Sequence, residues 1–208
     1  LVLAAGASPF SVFYLVAKGA AGSQFALLET LTRATPLIFT GLAVAVAFRA
    51  RFWNIGAEGQ LLAGAMAAAF VGAREDLPAW SLVPAMILAG ALAGAATAAL
   101  PATLRILFKV DEVVATLMLN FVIFYAMTAL LDGPWKDPLS GYPDSPDIRM
   151  EAEFPALVSA TRLHLGVLLA GLAAIGIWLL ITRTTLGFQI RAAGANPRAA
   201  THGGISVG

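Results

Sequence analysis

Long apolar segments separated by short polar links make up most of the 208-residue chain. The segments are about 15 to 25 residues long and rich in Gly and Ala, which suits helices that cross a hydrocarbon core of about 30 Å. A transmembrane β-barrel would instead show alternating segments of about ten residues, and the sequence lacks that alternation. The pattern predicts an all-α, polytopic membrane helical bundle with about six spans, at residues 1–17, 35–48, 60–73, 81–104, 111–131 and 163–182.

The polar links carry their own predictions. In residues 25–34 apolar positions recur at helical spacing, and Glu29 and Arg33 are four residues apart, which indicates a short interfacial helix before the second span. Residues 132–162 form a long Pro-rich, acidic loop, and residues 183–204 form a basic segment. The chain lacks Met at position 1 and ends on "GGISVG". We therefore expect a single transmembrane domain over residues 1–208, truncated at both ends within a longer protein.

Composition supports the membrane assignment and limits the chemistry. The chain is 59% hydrophobic and 12% charged, against roughly 25% charged in soluble domains, and its mean hydropathy is +0.83. A net charge of +1 gives no indication of nucleic-acid binding. Cysteine is absent, and the two histidines, His164 and His202, are too few and too far apart in sequence to predict a metal site.

Basic residues predict the orientation, because short cytoplasmic links collect Lys and Arg. Two of the six basic residues of the opposite side, Lys136 and Arg149, lie within the Pro-rich part of the long loop, residues 132–155. The basic residues of the predicted inner side all lie in short links beside spans: Arg49, Arg51, Arg105, Lys109, Arg183, Arg191 and Arg198. This places the 132–162 loop outside the cell and the 183–204 segment in the cytoplasm.

The stretch "RFWNIGAEGQLLAGA" (51–65) puts polar side chains between two glycines in a strongly apolar region. A carboxylate within a lipid-facing helix costs roughly 2.5–3.5 kcal/mol, so the pattern predicts a broken helix near 49–60. Such breaks are tolerated where protein or a water-filled cavity surrounds them. One hypothesis is that Asn54, Glu58 and Gln60 line or brace a solute pathway. The other is that they lie at the inner interface, where Glu58 serves the N-terminus of the third span and pairs with a neighbouring arginine, Arg49 or Arg51.

Four further polar residues lie in the fifth span, within "DEVVATLMLNF" (111–121), two at its start and two inside it. Asp111 and Glu112 open this span and interact favourably with its N-terminus. Thr116 and Asn120 are four residues apart and share one helix face. They either form interhelical hydrogen bonds or contact solute, and the sequence leaves both possibilities open.

The segment after the sixth span predicts two short helices joined at a glycine. The Ala-rich "QIRAA" (189–193) favours a helix that Gly194 ends. "NPRAA" (196–200) starts the next helix, with Asn196 as N-cap and Pro197 at the first helical position. This arrangement fits docking of a soluble partner, and a plain interfacial loop is the alternative.

Together these stretches resemble one family, the permease subunits of bacterial ABC importers that handle simple sugars and nucleosides. Nucleoside permeases that work with a solute-binding lipoprotein are the most similar. The resemblance covers nearly all of the chain. It rests on "PLIFTGLAVAVAFRARFWNIGAEGQLLAGA" (36–65), "VDEVVATLMLNF" (110–121), "GPWKDP" (133–138) and "TTLGFQIRAAGANPRAATHGGI" (184–205).

The resemblance implies an inner-membrane, multi-pass permease that pairs with a second permease subunit, a cytoplasmic ABC ATPase and an extracytoplasmic solute-binding lipoprotein. ATP and Mg would be bound by the ATPase, with no cofactor, catalytic residue or metal in this chain. The cytoplasmic segment would be the coupling region that seats in the ATPase. Its positions that match the family pattern include Arg191, Gly194, Asn196, Ala199, Ala200 and Gly204.

Two other classes of function, a membrane-embedded enzyme and an ion-coupled transporter, would each need particular residues within the spans. A membrane-embedded enzyme would need a Ser–His, paired-Asp or HExxH arrangement, which the predicted spans lack. Asp111 and Glu112 are adjacent, so on a helix they point about 100° apart. An ion-coupled secondary transporter of small polar solutes would need an acid or His within a span, and Glu58 is the candidate. The sequence contains no G-x-x-x-x-G-K-[ST] loop, so it does not predict ATP binding of that kind by this chain.

Overall fold

The computed structural model describes residue 6 and residues 8–136, 141–145, 147–159 and 161–206. The predicted all-α fold is confirmed: no β-strand occurs in these residues, in which Ala156 and His164 form one isolated bridge. A single 3-10 turn covers Met150–Ala152. The α-helices are α1 (Pro9–Ala21), α2 (Gln24–Arg49), α3 (Ala57–Gly72), α4 (Ala79–Phe108), α5 (Glu112–Asp132), α6 (Gly166–Arg183), α7 (Thr185–Ala195) and α8 (Pro197–His202).

Four of these helices, α2, α4, α5 and α6, are long and apolar enough to cross a membrane. This is fewer than the six spans predicted. The predicted first span lies partly on residues outside the described part of the chain, and the rest belongs to the 13-residue α1. The predicted third span corresponds to α3, which has 16 residues and is therefore only about 24 Å long.

Helix α2 corrects one predicted boundary. The interfacial helix expected at 25–34 and the span expected at 35–48 are one continuous helix of 26 residues, with Pro36 inside it. Proline removes a backbone donor and normally disturbs a helix. In lipid, however, ending the helix would leave several backbone groups without partners, so continuing it is favoured. The predicted Glu29–Arg33 pair is confirmed, with Arg33 Nε 3.3 Å from the Glu29 carboxylate.

The chain forms two compact units, of which the smaller contains residues 1–39 and 154–174. In this unit the Thr30 hydroxyl donates to the carbonyl of Ala20 at 2.8 Å, which fixes the turn from α1 into α2. Before α6, the His164 ring stacks on Phe154 with centroids 6.0 Å apart. His164 Nδ1 accepts a hydrogen bond from the backbone N–H of Gly166 at 3.0 Å, so this ring organises the start of α6.

The larger unit contains residues 40–153 and 175–208, and within it α3 packs closely on α4. A Cβ atom added at Gly64 would lie 3.0 Å from the carbonyl oxygen of Gly90, and one added at Gly94 would lie 3.4 Å from that of Gln60. Small residues at these points let the two backbones approach each other, as is usual between membrane helices. This close packing positions the N-terminus of α3.

At the opposite end of α3, the segment before the 3-10 turn packs over the α3–α4 connection. The Arg149 backbone N–H donates to the carbonyl of Gly72 at 3.1 Å, and its guanidinium donates to that of Leu77 at 2.9 Å. In the same connection Arg74 donates two hydrogen bonds to Asp76, of 2.8 and 2.7 Å. These bonds lower the pKa of Asp76 from 3.8 to about 2.

Candidate functional site

The candidate site is the break between α2 and α3, residues 50–56, together with the first turn of α3. Helix α2 ends in a hydrogen bond from the Phe52 N–H to the carbonyl of Ala47, of 3.0 Å, and Arg51 adopts a left-handed conformation with φ 53°. This is the geometry of a Schellman ending, at a position that usually carries Gly. The sequence thus turns the chain sharply at Arg51, and α3 begins only at Ala57.

Asn54 organises the turn that leads into α3. Its Oδ1 accepts a hydrogen bond from the Gly56 N–H at 2.8 Å, as in an Asx turn. Its side-chain amide also pairs with that of Gln60 through two hydrogen bonds, each of 3.2 Å. Asn54 is only 6% exposed. Its side-chain oxygen and nitrogen are therefore both engaged in holding the break together.

Helix α5 supplies the other half of the site, a clamp formed by Thr116 and Asn120. The Thr116 hydroxyl accepts from the Ile55 N–H at 3.2 Å. Asn120 donates to the Ile55 carbonyl at 2.9 Å and accepts from the Gly59 N–H at 2.8 Å. These side chains replace helical hydrogen bonds that the break removes, and Asn120 caps the N-terminus of α3 from a different helix. The interhelical hydrogen bonding considered from the sequence is thus present at both residues.

Both glycines of the motif are required by this packing. A Cβ at Gly59 would lie 2.7 Å from Asn120 Oδ1 and 3.1 Å from Asn120 Cα. A Cβ at Gly56 would lie 3.1 Å from Thr116 Cβ and 3.0 Å from Asn54 Oδ1. Close approach between the turn and α5 therefore explains both glycines.

Glu58 is separate from this hydrogen-bonded group. It lies in the first turn of α3, as expected for an acid that interacts with a helix N-terminus. Its side chain is exposed, and the ion pairs of the described residues do not include the expected pair with Arg49 or Arg51. That part of the interfacial hypothesis is therefore wrong. Arg51 does not pair with Glu58. It adopts a left-handed conformation at the end of α2, and its carbonyl oxygen accepts a hydrogen bond from Arg105.

Arg105 is a residue that sequence reasoning counted only as a basic charge. From the last turn of α4 it forms an ion pair with Glu112 and donates to the carbonyl of Arg51 at 3.3 Å. Its guanidinium also lies over the ring of Phe52, 5.4 Å from the centroid. Asp111 caps α5 by accepting from the Val114 N–H at 3.0 Å, which confirms its predicted role. No local signal in the sequence identifies the contacts of Arg105 with Arg51 and Phe52, because Arg51 is 54 residues away along the chain.

The cytoplasmic segment differs from its prediction at Gly194. Helix α7 runs through Thr185–Ala195, with Thr184 as its N-cap, so Gly194 lies inside the helix rather than ending it. Gly194 is buried against the end of α2, where an added Cβ would overlap the carbonyl oxygen of Arg49. Close packing therefore requires this glycine. The next prediction is confirmed: the Asn196 side chain accepts from the Ala199 N–H at 3.1 Å, and Pro197 starts α8.

The predicted coupling residues divide into two groups by exposure. Gly194 and Ala200 are buried in the chain, and Arg191 is partly exposed. Asn196, Ala199 and Gly204 are exposed, and Gly204 has a φ of 80°. The buried pair shapes the segment, whereas the exposed group presents a surface.

An open cavity of about 760 Å³ lies between the α4–α5 connection and helices α7 and α8. Charged and amide side chains on its wall include Arg105, Lys109, Glu112 and Gln189, and Ile190 and Ile205 contribute apolar surface. In the part of the chain that the structure describes, His, Cys, Asp and Glu do not form a group of three or more that could hold a metal ion.

Comparison with known proteins gives consistent matches. A family profile described as "Branched-chain amino acid transport system / permease component" matches residues 26–208. A glucose ABC transporter permease protein of Haloferax volcanii is 39% identical over an alignment of 194 positions, which covers 88% of this chain and 51% of the relative. A guanosine ABC transporter permease protein of Bacillus subtilis is 35% identical over an alignment of 210 positions, which covers 100% of this chain and 60% of the relative.

A nucleoside ABC transporter permease protein of Lactococcus lactis is 31% identical over an alignment of 216 positions, which covers 100% of this chain and 59% of the relative. The chain thus spans between about half and three-fifths of the length of these curated relatives. No solved structure gives a significant match.

Proposed function

Because the chain belongs to the family of permease components of branched-chain amino acid transport systems, we propose that it is the membrane-spanning permease subunit of an ATP-driven ABC importer for nucleosides. The similarity to the guanosine permease of Bacillus subtilis, which extends over 100% of this chain, carries the proposal. The chain is a multi-pass helical membrane protein. We place it in a bacterial inner membrane, with the 132–162 loop outside and the 183–204 segment in the cytoplasm.

A simple sugar is the second candidate solute. It is favoured by the 39% identity to a glucose permease of Haloferax volcanii. Nucleosides contain a sugar joined to a base, so one importer architecture can serve either class with different contacts to the base. The site residues themselves do not distinguish the two solutes.

The break between α2 and α3 is our candidate wall of the solute pathway. Asn54, Gln60, Thr116 and Asn120 hydrogen-bond to each other or to backbone groups, which supports a role in holding the wall rigid. Glu58 is exposed and has no ion partner among the described residues, so it is the group of this set best able to interact with a polar solute.

Four partners complete the proposed importer: a second permease subunit, a cytoplasmic ABC ATPase, an extracytoplasmic solute-binding lipoprotein and the lipid bilayer. ATP and Mg are bound by the ATPase. Movement of that subunit reaches this chain through α7 and α8, whose exposed residues Asn196 and Ala199 offer the contact surface. Solute crosses when differential contacts in the inward-facing and outward-facing states convert ATP binding into alternating access.

Uptake of labelled solutes tests the function. Cells that lack this gene should take up labelled guanosine, adenosine or uridine more slowly than the parent strain, and the gene carried on a plasmid should restore the rate. Labelled glucose and ribose are measured in parallel. Normal nucleoside uptake in the deletion strain would refute the nucleoside assignment, and a defect confined to the sugars would establish the second candidate.

The energy source separates the ABC importer from an ion-coupled transporter. For the importer, uptake should stop when ATP is depleted and should continue when an ionophore dissipates the proton gradient. Glu58→Gln should raise the KM for solute without creating or removing a proton dependence. Uptake that follows the ion gradient, and loses its proton dependence in Glu58→Gln, would establish the ion-coupled alternative.

Charge reversal tests docking of the ATPase. Arg191→Glu should greatly reduce transport while the protein stays in the membrane, because Arg191 is the partly exposed basic residue of α7. Arg162→Glu is the matched control, since Arg162 is exposed but lies outside the 183–204 segment. Co-purification of the ATPase with each variant reports docking directly, and equal recovery with both variants would exclude a docking role for Arg191.

A further inference from the structure

Arg105 contacts the ends of three helices at once. It lies in the last turn of α4, pairs with Glu112 at the first position of α5, and donates to the carbonyl of Arg51 just after α2. The Phe52 ring packs under its guanidinium at 5.4 Å. Only an arginine can make these three contacts together, because its planar fork donates in several directions and stacks on an aromatic face.

The same short segment touches helix α7 from another direction. Gly194 of α7 packs on the backbone of Arg49 and Ala50, with the site of its missing Cβ 3.2 Å from the Ala50 Cα. Residues 49–52 therefore have α7 on one side and Arg105 on another. A cavity separates α7 from the α4–α5 connection, whereas the backbone of Arg49 and Ala50 contacts α7 directly at Gly194.

From this segment two routes lead to the break. One is the chain itself, which continues from Phe52 into the turn at Asn54. The other runs through Arg105 to Glu112 and along α5 to Thr116 and Asn120, which hold the backbone of the turn. Rigid helices joined by paired side chains can carry a displacement over such a distance if they move together.

We propose that Arg105 is a positioning residue that couples movement of α7 to the break between α2 and α3 by holding the ends of α2, α4 and α5 together. This rests on the proposed function, since it assigns the path by which ATP-driven movement reaches the candidate solute wall. Without Arg105, α7 can move the 49–52 segment while α5 and its clamp on the turn stay behind. ATP hydrolysis then continues with less transport.

A purely stabilising Arg105 gives a different expectation. Glu112 has a side chain only 13% exposed, so removal of its partner leaves an unpaired, largely buried carboxylate that destabilises the inner end of the bundle. Loss of stability lowers the amount of working transporter, and uptake and ATP hydrolysis fall in proportion. The amount of solute moved per ATP hydrolysed therefore separates coupling from stability.

The variants are chosen to remove the contacts in steps. Arg105→Lys keeps the charge and loses the fork, and Phe52→Leu removes only the aromatic contact. Arg105→Gln combined with Glu112→Gln removes both charges and leaves no unpaired carboxylate, which keeps the test valid if Arg105→Gln alone folds poorly. Arg74→Gln is the control, because Arg74 also pairs with an acid, Asp76, and lies over an aromatic ring, Phe70, at 6.0 Å, but belongs to the α3–α4 connection.

The first measurement follows uptake and ATP hydrolysis together in proteoliposomes that contain the complete transporter. In the Arg105→Gln/Glu112→Gln variant, solute moved per ATP should fall about tenfold while basal ATP hydrolysis stays within about twofold of wild type, in the range of coupling between sites. Arg105→Lys and Phe52→Leu should fall less, and Arg74→Gln should match wild type. A parallel loss of uptake and hydrolysis, or an unchanged ratio, would overturn the proposal.

The second measurement follows the break itself. The chain contains no cysteine, so Ile55→Cys, at a side chain 47% exposed, gives a single labelling site in the turn. In the complete transporter, ATP with vanadate should change its rate of reaction with a maleimide, and the Arg105→Gln/Glu112→Gln change should abolish that response. An equal response in both backgrounds refutes the role of Arg105. A wild-type background that does not respond also overturns the proposal, because the break then does not move with ATP. Uptake without ATP in the first measurement would instead refute the ATP-driven function itself.

Discussion

Replacing Asn120 by Ala should loosen the contact between α3 and α5. The change removes the acceptor for the Gly59 N–H and the donor for the Ile55 carbonyl, bonds of 2.8 and 2.9 Å. A typical intramolecular hydrogen bond contributes about 0.5–1.5 kcal/mol, and interhelical bonds in membranes average about 0.6 kcal/mol. Because the first turn of α3 also loses its cap, we expect Asn120→Ala to cost about 2 kcal/mol.

Thermal melting of the purified protein in detergent is the assay. A cost of about 2 kcal/mol corresponds to a Tm lower by about 4–8 °C for a protein of this size. Thr128→Ala is the matched control, since Thr128 lies on the same helix and its hydroxyl bonds back to the carbonyl of Phe124 at 3.0 Å. The Tm of that variant should be close to that of wild type, because the hydrogen bond it loses lies within α5.

The result that refutes the clamp is a Tm of Asn120→Ala equal to those of wild type and Thr128→Ala. A second comparison tests whether Thr116 and Asn120 stabilise the turn together. Thr116→Val removes the acceptor for the Ile55 N–H while nearly preserving volume. Because both side chains hold the same turn, the double variant should lose less stability than the sum of the single losses.

Three further predictions concern the same unit. Gly59→Ala should lower the Tm, although alanine has a higher helix propensity than glycine, because the new Cβ would lie 2.7 Å from Asn120 Oδ1. Gly176→Ala should not lower the Tm, because the space around that glycine is open. Arg51→Val should be less stable than Arg51→Gly by about 1–2 kcal/mol, because a β-branched residue is disfavoured at φ 53° and glycine is not, as melting of the two variants will show. Because the folded pKa of Asp76 is about 2, below its ordinary 3.8, the contribution of Asp76 to stability is present above the ordinary value and lost as pH falls through about 2. The Tm difference between wild type and Asp76→Asn should therefore be constant above about pH 5 and shrink as the pH falls from about 5 to about 2, and a difference that does not change over that lower range would contradict the lowered pKa.

The resemblance drawn from the sequence motifs is confirmed at the level of the family, which matches residues 26–208. Motifs such as "FWNIGAEGQ" were recognisable because the packing demands them. Gly56 and Gly59 allow the backbone of the turn to approach α5, and Asn54 closes the turn through its own side chain. The packing of the turn against α5 thus gives a physical reason for the glycines and the asparagine of this motif.

Local interactions could be predicted from the sequence because the partners lie within one or two helical turns. The Glu29–Arg33 pair, the Asp111 cap and the Asn196–Pro197 start of α8 are all of this kind. Hydropathy likewise determined the all-α membrane fold, since apolar segments of this length cannot be exposed to water and must satisfy their backbone groups internally. It did not give the helix boundaries, because a periodic apolar stretch does not show where a helix joins its neighbour.

Tertiary structure alone decided which partners the polar residues find. The bonds from Thr116 and Asn120 to residues 55–59 join positions 61 to 65 residues apart, and Arg105 reaches Arg51 across 54 residues. A local sequence pattern does not predict contacts between residues so far apart along the chain, because these contacts depend on how α3, α4 and α5 pack. The sequence alone determined that polar groups and glycines at 54–60 require an enclosed break. Packing decided that α5 holds the break, that Gly194 lies against α2, and that Glu58 stays exposed.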